Sequence, residues 1–257
     1  MGLAQLRSDP SWSVRLLGSF ELSVDGTAVQ LPNAGERVVA FLALQRRAVS
    51  RQRVAGTLWP NVSEEHSLGS LRSALWRLGR LAGGLVVPGD TTLALATNTK
   101  VDTDMLDTDM LDAALGPTGD DAEKYATACD PLRFGDELLA DWYDDWVVFD
   151  RERIRITSLN RLEELSRRQS RAGRHAEATE TAAVAISLEP LRESAHAALI
   201  DAHLAEGNLS EAVRRLRIYA TILDAELKIE PGADLVGRVA DALRDRACAD
   251  RPRISVA

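Results

Sequence analysis

Arg77 and Arg80 lie close together in the stretch Ser63 to Gly83, with Ser73, Arg72 and Ser70 just upstream and His66 near its start. At helical spacing these side chains share one side. A guanidinium presents a rigid fork of donors that fits guanine O6 and N7 or phosphate oxygens, and small residues let a helix approach a groove closely. Across from them Leu68, Leu71, Leu75 and Leu78 recur at the interval of one buried stripe. Ser63 suits the N-cap, Glu64 and Glu65 suit the positive end, and Gly83-Gly84 suits termination. The stretch is expected to be a DNA-recognition helix in which Arg77, Ser73, Arg80, Arg72 and Ser70 read bases. Arg77, in the middle of the exposed stretch, is the first choice. Arg51, Arg53, His66, Thr91 and Thr92 are expected on phosphates. Trp76 reads as a packing residue at the helix edge. An ordinary amphipathic surface helix would show similar charges, so the elements around it must decide.

Upstream, Val14–Leu17, Phe20–Val24 and Ala28–Leu31 read as short strands, with Asp25-Gly26 as a hairpin signal between the last two. Gly35–Arg46 reads as a helix with Val38, Val39, Phe41 and Leu42 turned inward. Ser50 caps a second helix, Arg51–Leu58, which Trp59-Pro60-Asn61 ends because the residue before proline avoids the α region. The loop Trp59–Val62 is longer than a minimal turn and reads either as a contact for a protein partner or as a plain connector. Downstream, Leu85-Val86-Val87, a Pro88-Gly89-Asp90 turn and Thr92–Leu95 read as a two-stranded wing. Strands, three helices and a wing in this order predict a winged helix-turn-helix.

Val101–Asp112 is acidic and nearly duplicated. Asp102, Asp104, Asp107 and Asp109 resemble a calcium ladder, but the glycine and closing glutamate of an EF-hand loop are missing, so capping aspartates on a helix carrying Met105, Leu106, Met110 and Leu111 are expected instead. Gly116-Pro117-Thr118-Gly119 breaks that helix. From Asp141 the chain reads as helical, with Trp142, Tyr143, Trp146 and Phe149, together with Val147, as a core aromatic cluster at the start of a helix reaching Arg171. Ala172-Gly173-Arg174 and Glu206-Gly207-Asn208 begin matching segments whose glycines are offset by 34, and Glu189-Pro190 and Glu230-Pro231-Gly232 end later helices. That period predicts tetratricopeptide-like helix pairs.

The fold class is therefore mainly α with a small β part. A winged-helix domain at 13–98 precedes an all-α tetratricopeptide-like domain at 101–246, with tails at 1–12 and 247–257. Charge follows the division. Residues 1–100 carry 11 Lys+Arg against 7 Asp+Glu, residues 101–150 carry 2 against 15, and residues 151–257 carry 18 against 17. A mildly basic front segment suits DNA contact at one end only.

These residues resemble the SARP/AfsR-type regulators of actinobacteria, over residues 13–245. The resemblance is carried by Ala55-Gly56-Thr57-Leu58-Trp59-Pro60, Leu71–Leu78, Leu139-Ala140-Asp141 with Asp144-Asp145-Trp146-Val147, and Glu189–Glu193. It implies a response-regulator-type winged helix joined to a bacterial transcriptional activator domain. It further implies binding to directly repeated promoter elements in double-stranded DNA, side-by-side self-association, and recruitment of RNA polymerase and its sigma factor. Asn33-Ala34-Gly35-Glu36-Arg37 is less basic than in many relatives, so weaker non-specific phosphate attraction is expected. No receiver or ATPase segment is read, leaving abundance or a ligand to set activity.

No P-loop, G-x-S-x-G or H-E-x-x-H occurs, and no nucleophile–base–orienter set can be assembled, so an enzyme is not expected. His196 and His203 read as solvent-facing or in a helix groove. Cys129 and Cys248 are far apart and lack partner ligands, so neither a disulfide framework, nor a metal site, nor a cofactor is expected. Val38–Leu44, the longest apolar run, is too short to span a bilayer, and no leader is read, which predicts a cytoplasmic protein without membrane partners. The function expected is a sequence-specific transcriptional activator. A tetratricopeptide-type adaptor and a repressor of the same fold remain the alternatives.

Overall fold

Asp25 and Gly26 adopt the left-handed region, φ 49° and 80°, the conformation a two-residue hairpin turn demands. They join β2 (Glu21–Val24) to β3 (Thr27–Ala28), and β1 (Trp12–Arg15) pairs antiparallel with β2 from Trp12↔Val24 to Arg15↔Glu21. β3 stops before the expected Leu31, whose side chain is buried ahead of Pro32, the N-cap of α1 (Asn33–Gln45). Residues 10–106 and 134–249 are described by this computed structural model. The expectations for residues 1–9, for Asp107, Asp109, Met110 and Leu111, for Gly116–Gly119, for Cys129 and for the end of the C-terminal tail lie outside them.

The described residues divide into two compact units. The first takes in 10–106 with Asp136–Ile154. α1 buries Val38, Val39, Phe41 and Leu42 as its sequence requires. α2 (Arg51–Leu58) is capped by Ser50, whose hydroxyl accepts from the Arg53 amide, and α3 (Glu64–Leu81) is capped by Ser63 through the His66 amide. β5 (Val86–Pro88) and β6 (Thr92–Leu95) form the wing hairpin. β4 (Val49–Ser50) also pairs with β6, so the wing is a three-stranded sheet of order β4-β6-β5 where two strands were expected. The extra strand follows from Val49, which is buried and lies opposite Leu93.

β7 (Lys100–Val101) adds parallel to β1, giving the leading sheet the order β3-β2-β1-β7. The residues after it form a 3-10 turn, Asp102–Leu106. Both of its aspartates are engaged by protein groups. Asp102 accepts the Leu16 and Leu17 amides at 2.8–3.0 Å, and Asp104 pairs with Arg46 at 2.7 Å. No metal-ligand cluster occurs among the described residues.

Residues 137–140 complete this end of the sheet: Gly18 N–H donates to Glu137 O, Leu139 N–H to Leu16 O and Ala140 N–H to Gly18 O. Arg151 holds the segment in place by donating to the carbonyls of Leu138, Leu139 and Trp142. Phe20, Trp142, Trp146 and Phe41 form a chain of one tilted and two edge-to-face ring contacts with neighbouring centroids 5.4–6.2 Å apart. The expectation that all the local aromatics are core fails at two positions: Tyr143 is 94% exposed and Phe149 85% exposed. Val147 and Ile154 carry the buried stripe here, and at about 100° per residue Phe149 points the opposite way.

The second unit holds Phe134, Gly135 and residues 155–249. α4 (Asp145–Arg171), whose residues from Arg155 on belong to this unit, is followed by α5 (His175–Leu188), α6 (Glu193–Glu206), α7 (Leu209–Leu227) and α8 (Ala233–Ala249). The two repeat glycines do the same work. Gly173 and Gly207 sit at φ 78° and 81°, and the next amides, Arg174 and Asn208, reach back to Gln169 O and His203 O. Each is a left-handed helix stop that launches the following helix. Ile200, Ala212, Tyr219, Leu223, Leu235 and Val239 form the core between α6, α7 and α8. Of the two places expected for His196 and His203, on solvent or in a helix groove, burial excludes the first. His196 stacks on Tyr219 with centroids 4.1 Å apart and bonds Pro190 O at 2.9 Å. Cys248 is an exposed free thiol. No helix among the described residues is long and apolar enough to cross a membrane.

Candidate nucleic-acid interface

α3 packs through Ser67, Leu71, Ala74 and Leu78, all buried, with Leu68 and Leu75 half-buried beside them. The expected stripe of four leucines is thus rotated. Small Ser67 and Ala74 fit where α3 lies close to its neighbours, and the Ser67 hydroxyl donates to Glu64 O at 2.8 Å, satisfying its burial. Close approach is also visible at Gly35 of α1, where an added Cβ would stand 3.3 Å from the Leu78 side chain.

The opposite face carries the predicted base readers. Arg72, Ser73, Arg77 and Arg80 are exposed and Ser70 is half-buried. Ser73 donates back to Gly69 O at 3.1 Å, so its hydroxyl is partly engaged by its own helix. His66 is exposed and bound through Nδ1 to Ser63 Oγ at 2.6 Å. Along this face runs a groove of ≈ 710 Å³ bounded by Ala34, Trp59, His66, Gly69, Ser73 and Arg77. No carboxylate pairs with Arg72, Arg77 or Arg80 among the described residues. Arg167, Arg168, Arg214 and Arg215 on α4 and α7, by contrast, are each paired with a glutamate. Three unpaired cations on one helical face form a surface suited to a polyanion.

Four of the five predicted phosphate contacts come together through the wing. Ser50 pairs with Thr92 across β4 and β6, and the Arg51 amide donates to Thr91 O at 2.9 Å. The start of α2, with Arg51 and Arg53, is therefore stitched to the wing tip that carries Thr91 and Thr92. Gly89 makes that tip possible: its amide donates to Thr92 O, and a Cβ there would come within 2.6 Å of Thr92 Oγ1. His66 stands apart at the start of α3.

Arg37 is withdrawn from any role on phosphate. It donates to Leu58 O at 2.6 Å and Asp144 at 2.5 Å, and its guanidinium lies 5.9 Å from the Trp59 ring centroid. The basic content at the start of α1 is thus committed to the corner between α2 and α3. Trp76, expected as a packing residue at the helix edge, is instead turned to the surface. It is 64% exposed, with the Arg80 guanidinium 5.1 Å from its ring centroid. A wheel drawn on Ser67 and Ala74 instead of Leu68 and Leu75 would have turned it outward.

A family model described as Bacterial transcriptional activator domain matches residues 115–244. Among solved structures, Mycobacterium tuberculosis EmbR in complex with low affinity phosphopeptide is similar with a TM-score of 0.73, at 21% sequence identity. The match covers 92% of this chain and 66% of that one, so this chain spans just under two thirds of its length. At that identity the likeness is one of fold. A search of curated proteins finds no match.

Proposed function

Since the chain belongs to the bacterial transcriptional activator domain family, we propose that it is a sequence-specific DNA-binding activator of the SARP type. The observation that carries this reading is the unpaired cationic face of α3, with Arg72, Arg77 and Arg80 exposed and no acidic residue between His66 and Ala82. α3 enters the major groove, where Arg72, Ser73, Arg77 and Arg80 with Ser70 face base edges. Arg51, Arg53, Thr91 and Thr92 lie on one phosphate run, and His66 meets the backbone at the helix start. Protomers bind directly repeated elements side by side and recruit RNA polymerase and its sigma factor. Tyr143 and Phe149, almost fully exposed, favour a protein contact in addition to the DNA contact.

Run-off transcription with RNA polymerase, on promoters from the protein's own gene neighbourhood, tests this together with footprinting on the same fragments. The proposal expects more transcript and a footprint over repeated elements. The same footprint with less transcript would make the protein a repressor. No footprint at any promoter would contradict DNA binding and turn attention to the helical unit as an adaptor.

A further inference from the structure

The outward pole of α3 is set by what the helix buries. With Ser67, Leu71, Ala74 and Leu78 buried, and at about 100° per residue, the direction away from the core passes through Gly69, Trp76 and Arg80. Arg77 lies roughly a quarter turn to one side. Trp76 is therefore the largest side chain at the most projecting part of the helix, and its 64% exposure agrees. Arg80, one turn on, lies over the indole at 5.1 Å from the centroid, a cation–π arrangement that restrains both side chains. Beside the pair is an open groove of ≈ 310 Å³ between α3 and the wing, bounded by Arg51, Trp76, Gly79, Val86 and Pro88.

We propose that Trp76, with Arg80 held on its face, reads base edges in the major groove. The indole covers a thymine C5-methyl, and Arg80 donates to a neighbouring guanine or phosphate. This rests on the reading of α3 as a recognition helix. The occupant follows from the surroundings. On α3 the exposed residues around the Trp76 position are Arg72, Ser73, Arg77 and Arg80, with no carboxylate beyond Glu65, while apolar Val86 and Pro88 of the wing line the groove beside it. Cations around an exposed ring suit a polyanion that also offers apolar methyl groups, and thymines in the major groove offer them.

The test uses a duplex selected by the wild-type chain from a randomised library, with each thymine replaced in turn by uracil, which removes only the methyl. Wild type, Trp76→Ala and Trp76→Phe are compared by fluorescence anisotropy, with circular dichroism confirming that each is folded. The expected result is one position at which uracil weakens wild type about fourfold, the loss of one buried methyl. Trp76→Ala should be insensitive at that position, and Trp76→Phe should keep part of the sensitivity. Equal affinity and equal uracil profiles for wild type and Trp76→Ala would overturn the role of Trp76 while leaving α3 as a recognition helix. Unchanged single-site binding with loss of assembly on paired sites would place Trp76 between protein copies and overturn it also. Failure of the wild-type chain to select any duplex would instead remove the recognition-helix reading on which this one stands.

Discussion

Arg37 of α1 and Asp144, 107 residues later, form an ion pair at 2.5 Å with both side chains largely withdrawn from water. The same guanidinium donates to Leu58 O and lies against Trp59. One side chain thus joins the first helix, the α2–α3 corner and the segment before α4. Arg37→Ala leaves a half-buried carboxylate and a carbonyl without their donor, which should cost about 2–3 kcal/mol. Asp144→Ala should cost less, because Arg37 keeps Leu58 O. Urea denaturation of the full chain measures both, and equal small losses would show the pair to be ornamental.

Asp102 offers a pH test. Burial pushes its carboxyl above the ordinary value of 3.8, and the Leu17, Leu16 and Thr103 amides and the Arg15 charge pull it only partway back. A carboxyl whose folded value is raised contributes stability that is fully present below 3.8 and is lost as pH rises through the raised value. Relative to Asp102→Asn, wild type should therefore lose ground as pH rises across that window. A difference in urea midpoint that is constant with pH, or that grows in favour of wild type, would contradict this.

Gly232 donates its amide to Glu193 at 2.7 Å, and a Cβ at residue 232 would collide with the same carboxylate. Gly232→Ala should destabilise the helical unit by about 1–2 kcal/mol. In the background of Glu193→Ala the added methyl should cost little, so the two changes should be strongly non-additive. Thermal melts of the two single variants and the double variant supply the cycle.

Much of the fold is legible because local chemistry decides it. Ser50 and Ser63 cap as their hydroxyls suggest, Asp25-Gly26 turns, and Gly173 and Gly207 stop their helices in matching ways. What was hidden depends on distant partners. Nothing near Leu138–Ala140 announces that these residues will bond to Leu16, Leu17 and Gly18. Likewise, β7 pairs with β1 across most of the first unit. At the candidate site the arginines of α3 were visible as a set, because an amphipathic period sorts charged from apolar residues. Trp76 was not. Hydrophobicity alone put Leu68 and Leu75 in the core ahead of Ser67 and Ala74, and only close helix packing reverses that choice.

Arg53 stands exposed at the start of α2, beside the wing tip. As a phosphate contact it should matter equally for all sequences. Arg53→Ala should weaken selected and random duplexes alike and reduce the slope of log K against log salt by about one. A loss confined to the selected duplex would make Arg53 a base reader.

The most direct measurement is anisotropy binding of wild type and of Arg77→Ala combined with Arg80→Ala to promoter DNA from the gene neighbourhood, at two salt concentrations. If α3 reads DNA, wild type binds tightly, selectively and with strong salt sensitivity. In the variant, selectivity should be lost at a cost of roughly 1–3 kcal/mol for each base contact removed, while weak general binding through Arg51 and Arg53 persists. A variant with the affinity and site preference of wild type would contradict that reading.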